Sequence, residues 1–297
     1  MKILIISGLL GAGKTTFIKE LVKRRECNFV VLENEYGDQD IDGDLLRDET
    51  EIWELTEGCI CCSMRSDFAS SILTIANTLE PDFLIVEPTG LGLLSNVLQN
   101  IQKIEYERIQ LLPPLTLVDM EAYQNFQREF PEIFEDQIAN AGQILITKSE
   151  QHEKEEIENL VEHLEKLGAP HVEGTHYTNL PQIWWENLLQ TTYTGNVTAS
   201  DQTRPPVLEY VSFIQPFFSS IQQFTAYINV ILRGDFGTVV RGKGFLEIQG
   251  QWGKFDLVGQ KYTLCPCSPM PKAKILLIGK NLAKEKLAVL FSAHSHS

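Results

Sequence analysis

The chain has 297 residues, of which 43% are hydrophobic and 22% are charged, so it can bury a sizeable core and is too apolar to be disordered. Its 40 acidic and 25 basic side chains give a net charge of −15, which excludes broad electrostatic binding to nucleic acid or to anionic membranes. No apolar run in the sequence approaches the roughly 20 residues that span a bilayer. We therefore expect a globular protein without nucleic-acid or membrane partners.

The charge is divided unevenly along the chain. Residues 1–200 hold 34 acids and 14 bases, whereas residues 201–297 hold 6 acids and 11 bases, and this contrast favours two domains. A stretch without periodicity, rich in Thr, Gly, Asn and Ser, ends in two prolines at 205 and 206 and is typical of a linker. The sequence predicts one domain over 1–192, a linker over 193–206 and a second domain over 207–297.

The cysteines indicate the compartment. Six cysteines in a chain of this length do not form a disulfide scaffold, and three of them fall within residues 59–62, a spacing that suits thiolate chemistry in a reducing environment. The apolar start of the chain lacks the small-residue cleavage site of a signal peptide. We expect a cytoplasmic protein.

In the first 200 residues, short apolar runs alternate with helical patterns. The runs lack strict alternation of polar and apolar residues, which is typical of strands buried on both faces of a mostly parallel sheet. They cover residues 2–7, 29–32, 82–86, 115–118 and 143–146. The clearest helix is 153–167, which has one apolar stripe, acids in its first turn and a Gly-Ala-Pro stop. The pattern predicts an α/β fold with a mostly parallel sheet.

The elements of the last 90 residues follow a different order. Strands are predicted at 207–214, 239–248, 252–258 and 274–278, and helices at 219–232 and 282–291. Consecutive strands without intervening helices favour an antiparallel sheet. We expect a small α+β C-terminal domain.

The residues after the first predicted strand satisfy the Walker A pattern. Backbone N–H groups of the glycine-rich loop and the N-terminus of the next helix would bind phosphate, Lys14 would reach the β- and γ-phosphates, and the Thr15 hydroxyl would ligate Mg²⁺. A plain glycine-rich turn is the alternative, but it does not explain the Lys-Thr pair. The predicted nucleotide-binding residues here are Gly8, Gly11, Ala12, Gly13, Lys14, Thr15 and Thr16.

A carboxylate follows another predicted strand. Glu87 ends the run 83–86, at the edge where α/β sheets place their ligands, and it is the predicted second Mg²⁺ ligand. Lys14, Thr15 and Glu87 are therefore the predicted catalytic residues. Gly90 could offer its N–H to the γ-phosphate and so sense hydrolysis. A carboxylate that only caps the next turn is the alternative for Glu87.

The strand over 143–146 leads into Thr147-Lys148-Ser149-Glu150, which has the form of a guanine-reading Asn-Lys-x-Asp element. The stem of Lys148 could lie over the base, and the carboxylate of Glu150 could accept hydrogen bonds from N1–H and N2–H₂ of guanine, which adenine lacks. Thr147 and Glu150 depart from the usual letters. A charged loop that opens the next helix is the alternative.

A cysteine- and acid-rich segment lies between the phosphate loop and Glu87. Residues 33–57 contain eleven acids and one base, and Cys59, Cys61 and Cys62 follow directly. Thiolates select Zn²⁺, Cu⁺ or iron, and carboxylates can complete the coordination shell. We predict a transition-metal site with ligands from Cys59, Cys61, Cys62, Glu35 and Asp40, in addition to the Mg²⁺ ligands Thr15 and Glu87. A buried apolar or redox-active cysteine pair and a solvated acidic switch loop are the alternatives.

Two further groups give weaker signals. Cys265 and Cys267 form a CxC pair, and His294 and His296 lie at the C-terminus. Either group could bind a metal ion, but a turn and a frayed tail explain the same residues.

Taken together, these motifs resemble the CobW-type metallochaperone GTPases, relatives of HypB and UreG. The resemblance rests on the Walker A loop, the acidic segment that starts Glu33-Asn34-Glu35, the CxCC motif at 59–62, the ExxG motif at 87–90 and the base-reading element at 147–150. Arg241, Lys243 and Trp252 look like the pattern of the family's C-terminal domain. Walker A combined with CxCC is specific, whereas either motif alone is not.

The resemblance implies a P-loop NTPase that binds GTP and GDP with Mg²⁺ and hydrolyses GTP slowly. It further implies binding and delivery of a transition metal, Zn²⁺ first, with Co²⁺, Ni²⁺ or Fe²⁺ as other candidates, to an unidentified client metalloprotein or cofactor-assembly enzyme. Two or three ligands from one chain leave a metal ion incomplete, so a homodimer that shares ligands is consistent with the sequence. An ATP-dependent small-molecule kinase and a nucleotide-binding metal sensor without turnover are the rival hypotheses.

Overall fold

A computed structural model describes residues 1–25, 27–33, 51–54, 65–193, 195, 197–198 and 208–292, with the backbone alone at 51–54, 65–67 and 292. The chain divides into two compact units, Met1–Pro205 and Pro206–Ser297. Most of the predicted linker lies outside the described residues, and the predicted domain boundaries stay a prediction. Among the described helices, none is long and apolar enough to cross a membrane.

The first unit is built on an eight-stranded sheet. Its strand order is β3-β2-β4-β1-β6-β7-β8, with β5 also paired to β1, and the pairings between these strands are all parallel. This confirms the predicted α/β class. The strands are β1 (Lys2–Gly8), β2 (Phe29–Glu33), β3 (Glu51–Glu54), β4 (Phe83–Glu87), β5 (Gln110–Leu111), β6 (Leu115–Asp119), β7 (Gln143–Thr147) and β8 (Val172–Glu173).

Helices cover both faces of this sheet. Successive residues of β1 point to opposite faces, so Leu4 and Ile6 join one core cluster and Ile3 and Ile5 the other. The fully buried Trp185 stacks on Phe17 in the first cluster, with ring centroids 5.2 Å apart. The helices are α1 (Lys14–Lys23), α2 (Arg65–Thr78), α3 (Leu94–Gln102), α4 (Tyr123–Glu129), α5 (Pro131–Ala139), α6 (Lys154–Lys166) and α7 (Gln182–Leu188), with a short 3₁₀ turn at Tyr177–Asn179.

The predicted helix over 153–167 is α6. Its first turn is closed by a capping box, in which Glu153 and Glu156 each accept a hydrogen bond from the other's backbone N–H. Leu160 and Leu164 are its buried residues, as the apolar stripe predicts. The local sequence therefore predicts both where this helix begins and which of its faces is buried.

The second unit is a five-stranded antiparallel sheet in the order β12-β11-β10-β13-β9, packed with two helices. The predicted α+β architecture is confirmed, but the edge strand β12 was not predicted. Its inner positions bear Tyr262 and Leu264, which only partly bury against the core. The elements are β9 (Glu209–Ile214), α8 (Ile221–Leu232), β10 (Thr238–Ile248), β11 (Gln251–Val258), β12 (Lys261–Pro266), β13 (Lys274–Lys280) and α9 (Lys284–Ser292).

Candidate functional site

The glycine-rich loop joins the end of β1 to the start of α1. Gly11 and Gly13 have φ angles of 76° and 87°, in the left-handed region that favours glycine. Gly13 is the N-cap of α1, and no side-chain hydrogen bond caps this helix end. The first N–H groups of a helix without such a cap, together with the helix dipole, form a favourable environment for an anion.

Two glycines bring other backbone segments against this loop. A Cβ on Gly8 would lie 2.5 Å from the carbonyl oxygen of Leu117 in β6. A Cβ on Gly90 would lie 2.6 Å from the backbone nitrogen of Leu10. The segment after β4 is therefore in close backbone contact with the glycine-rich loop, which is the placement that a phosphate-sensing role for Gly90 requires.

Lys14 extends along the same loop. Lys14 is only 6% exposed, and its Nζ donates hydrogen bonds to the carbonyl oxygens of Gly8 and Leu9, at 3.2 and 3.4 Å. The ammonium group is thus held at the loop by backbone carbonyls. This position places the positive charge of Lys14 beside the N-terminus of α1. The charge and the helix dipole both favour an anionic ligand there.

Thr15 and Glu87 meet at the edge of the sheet. The Thr15 hydroxyl donates to the carboxylate of Glu87, with Oγ1 3.2 Å from Oε1 and 3.4 Å from Oε2. Glu87 ends β4 and is 7% exposed. Thr16, the next residue along α1, is exposed. The structure therefore brings together the two residues that the sequence predicts as Mg²⁺ ligands.

A second carboxylate ends the neighbouring strand. Glu33 pairs in register with Glu87 and is also 7% exposed. On its other side, the backbone of Glu33 pairs in register with Glu54, the last residue of β3. From the sequence, Glu33 is predicted only as part of an acidic segment. In the sheet it lies beside Glu87, the predicted second Mg²⁺ ligand.

Thr147 links the base-reading element to the phosphate loop. It is 3% exposed, and its hydroxyl lies 2.9 Å from the carbonyl oxygen of Ala12 and 3.4 Å from that of Val118, with a hydrogen bond to each. Gly8, Glu87 and Thr147 all end parallel strands, so the predicted phosphate, metal and base residues share one edge of the sheet.

Lys148 is held by an acid that the sequence analysis missed. Its backbone has a φ of 55°, and its Nζ lies 2.6 Å from Oδ2 of Asp119. Asp119 is 2% exposed and ends β6. It follows a buried apolar run as Glu87 does, so the signal that identified Glu87 could also have identified Asp119.

Glu150 lies at the open side of this element. Its side chain is 54% exposed, and its Oε1 lies 2.9 Å from Nε2 of His176. Burial raises the pKa of the neighbouring Tyr177, and the charges of Glu20 and Glu150 raise it further. His176 and Tyr177 belong to no motif, so they could not be predicted from the sequence.

The predicted transition-metal ligands, Cys59, Cys61, Cys62, Glu35 and Asp40, lie outside the described residues. The predicted Mg²⁺ ligands, Thr15 and Glu87, are described. Within the described part of the chain, no group of three or more His, Cys, Asp and Glu side chains is arranged to hold a metal ion. The predicted metal site therefore stays a prediction.

The CxC pair lies at the end of β12 in the second unit. Cys265 is exposed, and Cys267 is half-buried. Both line a cavity of about 500 Å³ together with Trp252. Burial raises the pKa of the Cys267 thiol, and the charge of Lys254 opposes this shift. His294 and His296 lie outside the described residues.

Comparison with known protein families gives a match over the part of the chain that carries this site. The model of the family described as CobW/HypB/UreG, nucleotide-binding domain, matches residues 2–171. This range includes the phosphate loop, the CxCC motif, Glu87 and the base-reading element.

Two zinc chaperones are among the curated relatives that this chain resembles. The zinc chaperone YeiR of Escherichia coli (strain K12) is 35% identical over 49% of this chain and 46% of its own length. The zinc chaperone YjiA of the same organism is 30% identical over 56% of this chain and 54% of its own length. The chain thus spans about half the length of these curated relatives.

A Zn(II)-bound triple mutant of the YjiA GTPase superposes with a TM-score of 0.50 at 20% identity, covering 98% of both chains. This likeness shows a shared fold. The family match covers more than half of the residues and coincides with the unit that carries the phosphate loop, Thr15, Glu87 and Thr147. The chain therefore belongs to the CobW/HypB/UreG family, whose nucleotide-binding domain it carries over residues 2–171.

Proposed function

We propose that this protein is a metallochaperone GTPase: it binds GTP, hydrolyses it slowly, and couples the nucleotide state to the binding and delivery of a transition metal ion. One observation carries the nucleotide half of this proposal. The Thr15–Glu87 hydrogen bond lies at the start of α1, beside a glycine-rich loop whose helix end has no side-chain cap. Family membership supports the metal half.

The donors and charges at the loop suit a nucleoside triphosphate. Backbone N–H groups at the start of α1 and the ammonium of Lys14 would bind the phosphates. Gly90, whose backbone contacts the loop, would donate its N–H to the γ-phosphate and would lose that partner on hydrolysis. The loss of one contact in a closely packed loop is a suitable signal for a switch.

A magnesium ion fits the oxygen ligands at this edge. The hydroxyl of Thr15 and the carboxylate of Glu87 are hard oxygen donors on adjacent elements, which is the ligand type that Mg²⁺ prefers. Mg²⁺ held by these two residues would neutralise charge on the β- and γ-phosphates. Among the described residues we identify no side chain that is positioned to activate the attacking water, and slow turnover is therefore expected.

Guanine is the base that the open side of the site favours. The carboxylate of Glu150 would accept hydrogen bonds from N1–H and N2–H₂ of guanine, which adenine does not offer. The Asp119–Lys148 ion pair fixes the lysine whose stem would lie along the base. Thr147 fixes the strand end from which both residues follow.

Zinc is the first candidate for the cargo, with Co²⁺, Ni²⁺ and Fe²⁺ as the others. The relatives YeiR and YjiA are zinc chaperones, and Cys59, Cys61 and Cys62 provide the thiolates that zinc prefers, with Glu35 and Asp40 as further ligands. Because coupling is reciprocal, zinc should change nucleotide affinity by the factor by which nucleotide changes zinc affinity. The client would be a cytoplasmic metalloprotein or cofactor-assembly enzyme, and shared ligation in a homodimer would complete the metal shell.

The test measures binding and turnover of GTP and ATP, with and without equimolar Zn²⁺, Co²⁺ or Ni²⁺. Three proteins are compared with the parent: Lys14→Ala, the triple variant C59S/C61S/C62S, and Cys27→Ser as a control outside the motif. We expect GTP preference, loss of nucleotide binding in Lys14→Ala, and loss of tight zinc binding in the triple variant alone.

Other outcomes point to other functions. A preference for ATP would overturn the GTPase assignment and indicate a kinase. Nucleotide-dependent zinc binding without turnover would indicate a metal sensor. Zinc affinity that is unchanged in the triple variant would overturn the proposed metal site.

A further inference from the structure

A buried glutamine on α5 holds the loop that follows Glu87. Gln137 is 1% exposed, and its Nε2 donates hydrogen bonds to the carbonyl oxygens of Gly90 and Gly92, at 3.4 and 3.2 Å. Its own backbone carbonyl accepts a hydrogen bond from the hydroxyl of Thr116 in β6, at 3.4 Å. Because Gly90 is in close contact with the phosphate loop, the Gln137 amide holds the peptide groups that directly follow the N–H of Gly90.

The residue before Gln137 holds the next helix. Asp136 is 5% exposed, and its Oδ2 accepts a hydrogen bond from the backbone N–H of Ser95, at 3.1 Å. Helix α3 begins at Leu94 and has no side-chain cap of its own at its N-cap residue. One turn of α5 therefore fixes both the loop after β4 and the start of the helix into which that loop leads.

Asn140 connects the same turn of α5 to the chain that leaves the first unit. It is 2% exposed, and its Nδ2 donates to the carbonyl oxygens of Asp136 and Thr198, at 2.9 and 3.2 Å. In return, its Oδ1 accepts from the backbone N–H of Thr198, at 2.9 Å. Thr198 lies shortly before Pro206, where the second unit begins. Tyr193 and Val197 pack against the core of the first unit on the way.

We infer that Gln137, Asp136 and Asn140 are positioning residues that form a polar relay from the loop after β4, residues 88–93, to Thr198. In this relay, a shift of the Gly90 and Gly92 carbonyls moves Gln137, and the rigid helix turn carries the shift to Asn140 and Thr198. The inference rests on the proposed function, since it needs a nucleotide that changes the loop. It adds a route by which nucleotide state reaches the chain that leads to the second unit.

The parts of the relay suit such coupling. Its polar contacts are direct hydrogen bonds between buried side chains and backbone groups, whose loss is costly because water cannot readily replace the partner. The contacts lie on one helix turn, so they cannot move independently. The network ends at Thr198, which is exposed, and contiguous hydrogen-bond networks of this kind can carry coupling between two distant positions.

The test follows hydrogen–deuterium exchange of the full chain with GDP and with a non-hydrolysable GTP analogue. Exchange of two segments, 88–95 and 190–198, is compared in the parent, Gln137→Met, Thr198→Pro and the control Gln127→Met. Gln127 lies on the neighbouring helix α4, where it contacts His163. Thr198 is exposed, and proline at this position removes the N–H that donates to Oδ1 of Asn140.

We expect the parent and Gln127→Met to show a nucleotide-dependent difference at both segments. Gln137→Met should abolish the difference at 190–198 and retain it at 88–95, where the proposed γ-phosphate contact of Gly90 acts directly. Thr198→Pro should abolish it at 190–198 and retain it at 88–95. Nucleotide affinity should stay within about threefold of the parent value in Thr198→Pro.

The outcomes separate the relay from the proposed function. A parent protein that does not bind GTP overturns the proposed function and the relay with it. A parent that binds both nucleotides but shows no difference at 190–198 overturns the relay alone. A difference at 190–198 that survives in both Gln137→Met and Thr198→Pro also overturns it.

Discussion

The hydroxyl of Thr147 donates a hydrogen bond to the carbonyl oxygen of Ala12, 2.9 Å away. This contact joins the end of β7 to the phosphate loop across 135 residues of sequence. A threonine thereby connects the base-reading segment to the phosphate-binding segment, although the usual residue of this motif is asparagine. Threonine in place of the usual asparagine therefore retains the connection between the base-reading segment and the phosphate-binding segment.

Thr147→Val is the direct test of this contact, because valine keeps the shape of threonine without the hydroxyl. The carbonyl oxygens of Ala12 and Val118 lose a donor in a buried position, which should cost about 1–2 kcal/mol. We expect the free energy of unfolding to fall by this amount, and nucleotide affinity to fall because the loop is less well fixed. Urea unfolding and nucleotide titration measure the two effects. Thr147→Ser retains the hydroxyl and should behave like the parent; equal losses in both variants would contradict the role of the hydrogen bond.

Glu150→Gln tests the choice of base. A carboxylate can accept from both guanine donors, whereas an amide offers one acceptor oxygen and one repelling N–H₂ group. Loss of a hydrogen bond to a charged group costs about 1.5–3 kcal/mol, so GTP affinity should fall on the order of 10- to 100-fold while ATP affinity changes little. Glu162→Gln, an exposed glutamate on α6, serves as the matched control. A parallel loss of GTP and ATP affinity in Glu150→Gln would show that this carboxylate does not read the base.

Gly90→Ala tests the contact between the segment after β4 and the phosphate loop. The new methyl group would lie 2.6 Å from the backbone nitrogen of Leu10, and backbone cannot move aside as a flexible side chain can. Overpacking of this kind costs about 1–3 kcal/mol, and here it displaces the loop itself. We expect nucleotide binding to be lost or severely weakened, as measured by titration calorimetry.

Gly168→Ala separates this effect from general loss of stability. Gly168 follows α6 with a φ of 97°, and a Cβ there meets no atom within 4 Å. Alanine in this conformation costs about 1 kcal/mol of strain at a position remote from the loop. It should lower the unfolding midpoint without altering nucleotide affinity. Normal nucleotide binding by Gly90→Ala would contradict the close-contact argument.

The apolar runs predicted five of the eight strands of the parallel sheet, missing the short strands β3, β5 and β8, and each of the five ends one residue beyond its run. The added residues are Gly8, Glu33, Glu87, Asp119 and Thr147. Backbone pairing continues through these positions. They lie at the C-terminal edge of the parallel strands, which is where α/β sheets bind their ligands. A hydropathy pattern ends at the last apolar residue, so it does not include the next residue, which ends the strand and faces the ligand site.

Other features of the site were not predicted. Glu87 and Asp119 both follow a buried apolar run, so the same local signal was present for each, although only Glu87 was predicted. Gln137 and Asn140 matter through hydrogen bonds to residues that are 45 and 58 positions away. Contacts over such separations are set by the packing of α5 and cannot be derived from the residues around them.

Asp136→Asn tests the cost of burying a carboxylate in the relay. Burial raises the pKa of Asp136 above its usual value, against the opposing effect of its hydrogen bonds from Ser95 and Leu94. The folded state therefore holds this proton more tightly than the unfolded state, so the contribution of Asp136 to stability is greatest below the unfolded-state pKa and declines as the pH rises through the folded-state pKa. The asparagine variant lacks this titration, and the difference in the free energy of unfolding, variant minus parent, should grow from pH 4 towards pH 7. Urea unfolding at a series of pH values measures it, with Glu135→Gln, an exposed position on the same helix, as the control. A difference that is constant with pH would show that Asp136 titrates alike in both states, with its hydrogen bonds offsetting the effect of burial, and would contradict the raised pKa.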